Sequence, residues 1–347
     1  MTASPELLAR PREVLAAAPD VARRALGLPV AHMHPLAENL SLADVALVCG
    51  RNARPQAPHE LDRAVQARGM GTSDFTRLLS DAARGLVEQR YALAADHLSF
   101  ATPVDAPDFR AFALPAVDTE ALDPAPLNEL GNLEHSRIVT PAGAATATLG
   151  SFGRVVTVSR QAIVDGALAA LNATMAGAAV AAARLEARLV ADALENPATL
   201  DDQALPFHAD FGNLVALALD ATSLGTAMGA LRTQKTAAGT PAETAARHLI
   251  VEPALEYAAR KLLFDAGLST LVSVHVLATL PTGRWYLLGD PSLVPVVSTL
   301  RLAGARAPVA IEPVRKVPGN LDGAGLRLRV DAGAAMLGRV GIVRGGV

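Results

Sequence analysis

The sequence predicts an α+β fold. Three observations carry that expectation. The C-terminal half mixes strand-like runs with helices without regular βαβ alternation and without repeats. A single long helix rich in alanine covers about residues 167–195. A stretch of some fifty residues, 101–150, carries many Pro, Asp, Asn and Gly and few large apolar side chains, too long for an ordinary connection within a compact domain. With 347 residues the chain is long enough for one large domain or two to three smaller ones.

Residues 1–72 differ from the rest. Short apolar clusters are broken by Pro5, Pro11, Pro19, Pro29, Pro35, Pro55 and Pro58. "GRNARPQAPHE" (50–60) reads as a linker and "ARGMGTSD" (67–74) as a second break, leaving one or two loose helices on an extended arm. "SDFTRLLSDAARGLVEQRYALAADHL" (73–98) then reads as a helix, with Ser73 or Asp74 as cap and Phe75, Leu78, Leu79, Ala82, Leu86 and Tyr91 at helical spacing. Residues 101–150 read as an extended hairpin loop lying mostly outside the core. It ends in "RVVTVS" (154–159), whose β-branched residues suit a strand.

The long helix has Asp165 as its N-cap candidate and Asn196-Pro197 as its stop. Leu168, Leu171, Met175, Ala178, Ala182, Leu185 and Leu189 mark one apolar face. Its early remainder is Ala and Gly, and charge enters only at Arg184, Glu186, Arg188 and Asp192. At 1.5 Å per residue it is roughly 43 Å long. Its most apolar run, 167–183, is alanine-dominated and shorter than the ~20 strongly apolar residues of a membrane span. Further on, "SLGTAMGALRTQK" (223–235) reads as a helix capped by Ser223 and "HLIVEP" (248–253) as a buried strand. "PALEYAARKLLFDAG" (253–267) is a helix with Pro253 in its first turn and Gly267 after its end. "SVHVLATL" (273–280), "RWYLLG" (284–289), "LVPVVSTLRL" (293–302), "PVAIEPV" (308–314) and "LRLRVDAG" (326–333) are strands. A Pro281-Thr282-Gly283 turn separates the first two of these.

Bulk properties exclude several functions. Hydrophobic residues make up 51% but aromatics only 3%, so the core is built from small side chains. Mean hydropathy is +0.28, high for a soluble monomer, and points to apolar surface covered by partner subunits. A net charge of −3 rules out a strongly basic nucleic-acid grip. The single cysteine, Cys49, excludes an intramolecular disulfide and a multi-cysteine zinc site. There is no phosphate-cradling GxxxxGK[ST], no GxGxxG after a strand and no GxSxG elbow. "HELDR" (59–63) starts like a zinc-protease motif, but Arg63 stands where the second histidine belongs.

"LPFHADFGN" (205–213) is the stretch most suggestive of chemistry, since His208 and Asp210 are metal-ligating types. Three or four ligands are normally needed, and nothing nearby completes the set. The stronger reading is a polar turn, in which Asp210 bonds the following backbone and Gly212-Asn213 take positive φ. His97, His135, His248 and His275 read as surface or satisfied core residues, and Trp285 and Tyr286 as packing.

Five stretches, in this order, resemble a known family. They are "TSDFTRLLSDAARGLVEQRY" (72–91), "FGRVVTVSRQAIVDGALAAL" (152–171), "LPFHADFGNL" (205–214), "ALRTQKTAAGTPAETAARHLIVEPALEYAARKLL" (230–263) and "RWYLLGDP" (284–291). Together they resemble major capsid proteins of tailed phages with the HK97-type fold, and more narrowly the Mu-like head-subunit branch. The resemblance implies an N-terminal scaffold-like or flexible segment (1–72) and an arm with a helix (73–114). It further implies an extended loop (115–157), a peripheral domain with a long spine helix (158–213 and 293–330) and an axial domain (214–292 and 331–347). Where many relatives carry a second histidine, this chain has Asp210. "VDAGAAMLGRVGIVRGGV" keeps only part of the family's closing pattern.

The function so implied is a structural shell subunit that assembles with itself in hexamers and pentamers around double-stranded DNA. It has no catalytic, cofactor or metal residues, and a portal, scaffold or maturation protease as partners. Asn128, Glu129, Leu130 and Glu134 in the loop, with Arg154 and Arg160 at its base, are the candidate intersubunit contacts. A nanocompartment shell of encapsulin type and a metal-dependent enzyme using His208 and Asp210 are the alternatives.

Overall fold

The computed structural model describes residues 11–25, 30, 32–40, 44, 45, 48, 73–114, 146–159, 168–200, 204–235, 239, 241–305, 308–314 and 323–346. In chain order the elements are α1 (Pro11–Ala25), α2 (Ser73–Ala94), β1 (Thr102–Ala106), β2 (Phe112–Ala113), β3 (Thr146–Ala147), β4 (Gly150–Ser159) and α3 (Leu168–Glu195). There follow β5 (Leu214–Val215), α4 (Ala221–Thr233), β6 (His248–Val251), α5 (Glu256–Asp265), β7 (Ser273–Val276), β8 (Trp285–Leu288), β9 (Val297–Leu302), β10 (Val309–Val314), β11 (Gly323–Met336) and β12 (Ile342–Gly345). The chain divides into two compact units.

The first unit holds residues 1–94, 151–183 and 307–331. Here β10 runs antiparallel to β11, with Val309 opposite Val330 and Val314 opposite Gly325, and β4 also pairs with β11. Helix α2 buries Ala83, Leu86, Val87 and Tyr91 and packs on β10 and on α1, which buries Val14, Ala17, Val21 and Ala22. Those positions recur every three to four residues, so one face of each helix is dry.

The second unit holds residues 95–150, 184–306 and 332–347. Its main sheet has the order β5-β12-β8-β6-β7, with β6–β7 and β12–β5 parallel and β6–β8 and β12–β8 antiparallel. The period of two along each strand sorts its side chains cleanly. Leu249, Val251, Trp285, Leu287 and Val343 pack with Leu224, Ala227 and Leu231 of α4 and Ala259 and Leu263 of α5. Ile250, Tyr286, Leu288 and Ile342 face the other way, onto Val190, Ala191 and Leu194 of α3, with Phe100 and Phe207. Both faces being covered, β8 reads as four consecutive buried residues. A smaller set joins β1 to β9 in parallel and β9 to the end of β11 in antiparallel.

Three expectations need correction. The buried side of α3 runs through Met175, Ala179, Ala182, Ala183, Glu186, Val190 and Leu194, one position on from the expected Ala178, Leu185 and Leu189. The alanine-rich middle is apolar all round, so periodicity there does not choose a face. The cap of α4 is Asp220, whose carboxylate accepts from Ser223 N at 2.7 Å while Ser223 Oγ accepts from Asp220 N at 2.9 Å. Ser223 is the far half of this capping box. Pro253 opens a 3₁₀ turn, Pro253–Leu255, ahead of α5.

Candidate intersubunit surface

The extended loop is built from its root outward. β2 and β3 pair antiparallel, Phe112 opposite Ala147 and Ala113 opposite Thr146, so the chain leaves and returns at one place. Ala106, Leu114, Ala147, Leu149, Leu300 and Leu337 form a dry cluster beneath that root. Beyond it, β4 has a different character. Residues 151–155 are all exposed, including Phe152 at 38% and Val155 at 39%. Arg154 stands exposed within this strand. Asn128, Glu129, Leu130, Glu134 and Arg160 lie outside the described residues, as do the "HELDR" stretch, His135 and the proposed Asp165 cap.

The 205–213 stretch is a turn closed by its own side chains. His208 caps a 3₁₀ turn at Ala209–Phe211, its Nδ1 accepting from Asp210 N at 3.3 Å, and Gly212 takes φ 63°. The roles differ from the expected ones: His208 rather than Asp210 bonds the following backbone, and Gly212 alone turns left-handed, while Asn213 does not. Instead Asn213 is fully buried and pins the loop, accepting from His208 N at 3.1 Å and donating to Pro206 O at 2.7 Å. The imidazole and carboxylate of His208 and Asp210 meet at 3.2 Å on the surface. Among the described residues no group of three or more His, Cys, Asp and Glu is arranged to hold a metal ion.

Sequence reasoning passed over a second polar cluster in the second unit. The short turn Asp96–Ser99 is held on two sides. His97 and Glu186 are both buried and meet at 2.8 Å, with Arg301 Nε 3.9 Å from the other carboxylate oxygen. Asp96 Oδ2 lies 2.8 Å from His275 Nδ1, and His275 Nε2 lies 3.0 Å from His248 Nδ1. The hydrogen bond from His275, with the charges of His275, His97 and Arg260, holds the Asp96 carboxyl below its usual range. Burial, then the adjacent His275, pushes the His248 imidazole down. Ser99 Oγ reaches His275 at the same Nδ1 that Asp96 uses, at 3.4 Å, and donates to Asp96 O at 2.6 Å. A nucleophilic relay needs serine and aspartate on opposite ring nitrogens, so this arrangement activates no hydroxyl. The only sequence signal was indirect: Glu186 is among the charges that enter late on an alanine-rich helix.

Trp285 and Tyr286 are packing residues with satisfied polar tips. Trp285 Nε1 donates to Leu217 O at 3.1 Å, and Tyr286 OH to Glu195 Oε1 at 2.7 Å. Burial, with Glu195 beside it, raises the Tyr286 phenol far above its usual range. Among the described residues no helix is long and apolar enough to cross a membrane.

The described residues thus form a two-unit α+β subunit whose β2 and β3 pair at the root of a long connection. Residues 143–345, more than half of the chain, match the phage capsid protein family, and the chain belongs to it. Its fold is therefore of the HK97 capsid type, and its role is that of a major capsid subunit. No curated protein matches the chain. It is similar to a virus-like particle from Pyrococcus furiosus, at 11% identity over 76% of this chain and 97% of that one, with a TM-score of 0.47. It is also similar to a phage-related protein from Bordetella bronchiseptica, at 16% identity over 78% and 95%, with a TM-score of 0.48. A third likeness is to the procapsid of satellite phage P4, at 10% identity over 76% and 98%, with a TM-score of 0.45. The family match carries the assignment.

Proposed function

We propose that this subunit closes into an icosahedral shell of hexamers and pentamers around double-stranded DNA, with residues 115–157 lying across a neighbouring copy. The observation that carries the reading is β4, a strand rich in β-branched residues with Phe152 and Val155 left at the surface beyond a well-packed loop root. β4 pairs with β11 within the chain, and the apolar side chains it leaves at the surface gain from a covering partner. Asn128, Glu129, Leu130, Glu134, Arg154 and Arg160 are the proposed contacts along that overlap. Residues 158–213 and 293–330 form the peripheral part and residues 214–292 and 331–347 the axial part. A net charge of −3 fits a wall that confines DNA without gripping its sequence. Residues 1–72 act in assembly with a scaffold or maturation protease, and a portal occupies one vertex. The Mu-like branch is the placement supported by the five sequence stretches. The shell of a virion is the expected location.

Electron microscopy of the expressed full chain tests this reading. Closed shells are expected, and a Phe152→Ser/Val155→Ser variant is expected to stay folded by circular dichroism yet fail to close shells. A strictly monomeric wild type, or a variant that assembles as well as the wild type, overturns it. Particles isolated from their host with protein cargo and no DNA overturn the contents assigned here.

A further inference from the structure

A cleft of about 480 Å³ in the second unit is lined by Asp210, Phe211, Ala230, Gln234, Lys235 and Arg339. One wall is fixed, because the buried Gln234 side chain donates to Ile342 O at 2.8 Å and accepts from Gly341 N at 2.7 Å. The Arg339 guanidinium stands 3.9 Å from the centre of the Phe211 ring, so its charge is held in place by the stack. Lys235, just past α4, is exposed, and among the described residues no carboxylate pairs with it. The one carboxylate lining the cleft, Asp210, lies 3.2 Å from His208. Other cations of this unit stand beside carboxylates of their own, Arg260 with Glu256 at 3.0 Å and Arg284 with Glu195 at 3.2 Å.

The chain carries a segment of the opposite sign. Residues 115–145 hold Asp118, Glu120, Asp123, Glu129 and Glu134 against a single arginine, Arg137. The whole chain nets −3, so this negative excess of four exceeds the total and the remainder is slightly positive. Within it, "ELGNLE" (129–134) sets two carboxylates around two leucines, Leu130 and Leu133. The cleft offers the converse, two cations with the ring of Phe211 and the methyl of Ala230. We propose that this cleft is the landing site of a neighbouring copy's loop, with Lys235 and Arg339 receiving Glu129 and Glu134. The inference rests on the shell reading and names the surface on which the loop closes. Opposite charges there select partner and register more than they add affinity, since one exposed ion pair contributes little by itself. A nucleic-acid backbone would suit the same cations but leave the apolar wall unused.

Carbodiimide coupling of the full-length chain tests the landing site. The reagent joins a carboxylate to a lysine in direct contact, and the chain has only Lys235, Lys261 and Lys316. Residues 115–145 contain no lysine, so every amide made by their carboxylates must reach one of those three. Unlabelled and nitrogen-15-labelled protein are mixed before coupling, and tryptic peptides are read by mass spectrometry. All five loop carboxylates fall in one peptide, 111–137. The expected product is a mixed-isotope link from Glu129 or Glu134 to Lys235. Lys235→Glu, at an exposed side chain, should raise the subunit concentration needed for assembly at least about fivefold, as attraction becomes repulsion at every junction. One reciprocal change, Glu129→Lys or Glu134→Lys, added to that chain should restore assembly. Links only within single chains, links only to Lys261 or Lys316, links carried only by Asp118, Glu120 or Asp123, or a Lys235→Glu chain that assembles like the wild type each overturn the proposal. Lys235→Glu shells that close normally yet hold less DNA assign the cleft to phosphates and overturn it too. Closed wild-type shells without the link sink the landing site alone. Mixed-isotope links without closed shells uphold the contact and sink the shell, and a chain giving neither sinks both.

Discussion

One methyl group placed at two kinds of glycine should have opposite effects on stability. Gly345 in β12 lies opposite Trp285 of β8, and a Cβ built there would stand 1.9, 2.2 and 2.4 Å from three carbons of the indole. Ordinary contact begins near 3.4 Å, so about 1.5 Å of movement is required. Neither partner can supply it cheaply. Trp285 is fully buried and tethered through Nε1 to Leu217 O, while Gly345 is paired on both sides, to Trp285 and to Val215. Gly345→Ala should therefore cost about 3 kcal/mol, the upper end of ordinary overpacking. Gly225 and Gly229 on the exposed side of α4 have nothing within 4 Å of the added atom. There, Gly→Ala should stabilise by about 0.5–1 kcal/mol each, through helix propensity alone. Urea unfolding of the unassembled full-length subunit, followed by circular dichroism, measures both. The midpoint should fall for Gly345→Ala and rise for the α4 variants, with an unchanged m-value. Trp285→Phe removes the atoms struck, so the double variant should be less destabilised than the sum of the singles. An unshifted midpoint for Gly345→Ala would refute the placement of the closing strand against the tryptophan.

Other substitutions separate buried from exposed polar roles. Glu186→Ala should cost about 3–5 kcal/mol in thermal or chemical unfolding, because it strands the buried His97 that the carboxylate holds. Asn213→Ala should cost about 2 kcal/mol by losing two bonds in the 205–213 turn, whereas Asp210→Ala should leave stability and assembly unchanged. Residues 101–160 contain no lysine, so assembled shells boiled in detergent should run as a single monomer band, and a ladder of covalent oligomers would contradict this.

The legible parts of the fold were those where local chemistry is unambiguous. Asn196-Pro197 ends α3 as expected, since proline forbids helix in the residue before it. Gly267 closes α5 at φ 68°, and Pro281-Thr282-Gly283 turns with Arg284 N bonding Pro281 O at 3.1 Å. Parts that depend on distant partners were not legible. The buried face of α3 is chosen by Glu186, which is tolerated inside only because His97, 89 residues away, meets it. β12 escaped notice because four residues between glycines give no periodicity, and its place between β5 and β8 is decided by the whole sheet. The loop root shows the same limit: composition put residues 101–150 mostly outside the core, but β1 pairs with β9 within the sheet and Phe112 pairs with Ala147, both long-range facts. The histidine chain joins residues 96, 248 and 275 through tertiary contacts no local pattern encodes.

The division of labour between the packed sheet and β4 bears on how such a subunit can fold before it assembles. In the second unit the demanding side chains find partners within their own chain: Trp285 on Leu217, Tyr286 on Glu195, Gln234 on Ile342 O at 2.8 Å and Gly341 N at 2.7 Å. Stability there does not wait for a neighbour. Phe152 and Val155 are each only a little over a third exposed, so covering them gains about 2 kcal/mol together at the usual 25 cal/mol per Å². One such contact is too weak to hold two copies, and many around a ring hold firmly. Wrong encounters can therefore dissociate while correctly closed rings persist. The same reasoning explains why Phe152→Ser/Val155→Ser should abolish closure without unfolding the subunit. Its loss per contact is small, but it recurs at every junction, whereas the sheet that carries folding is untouched.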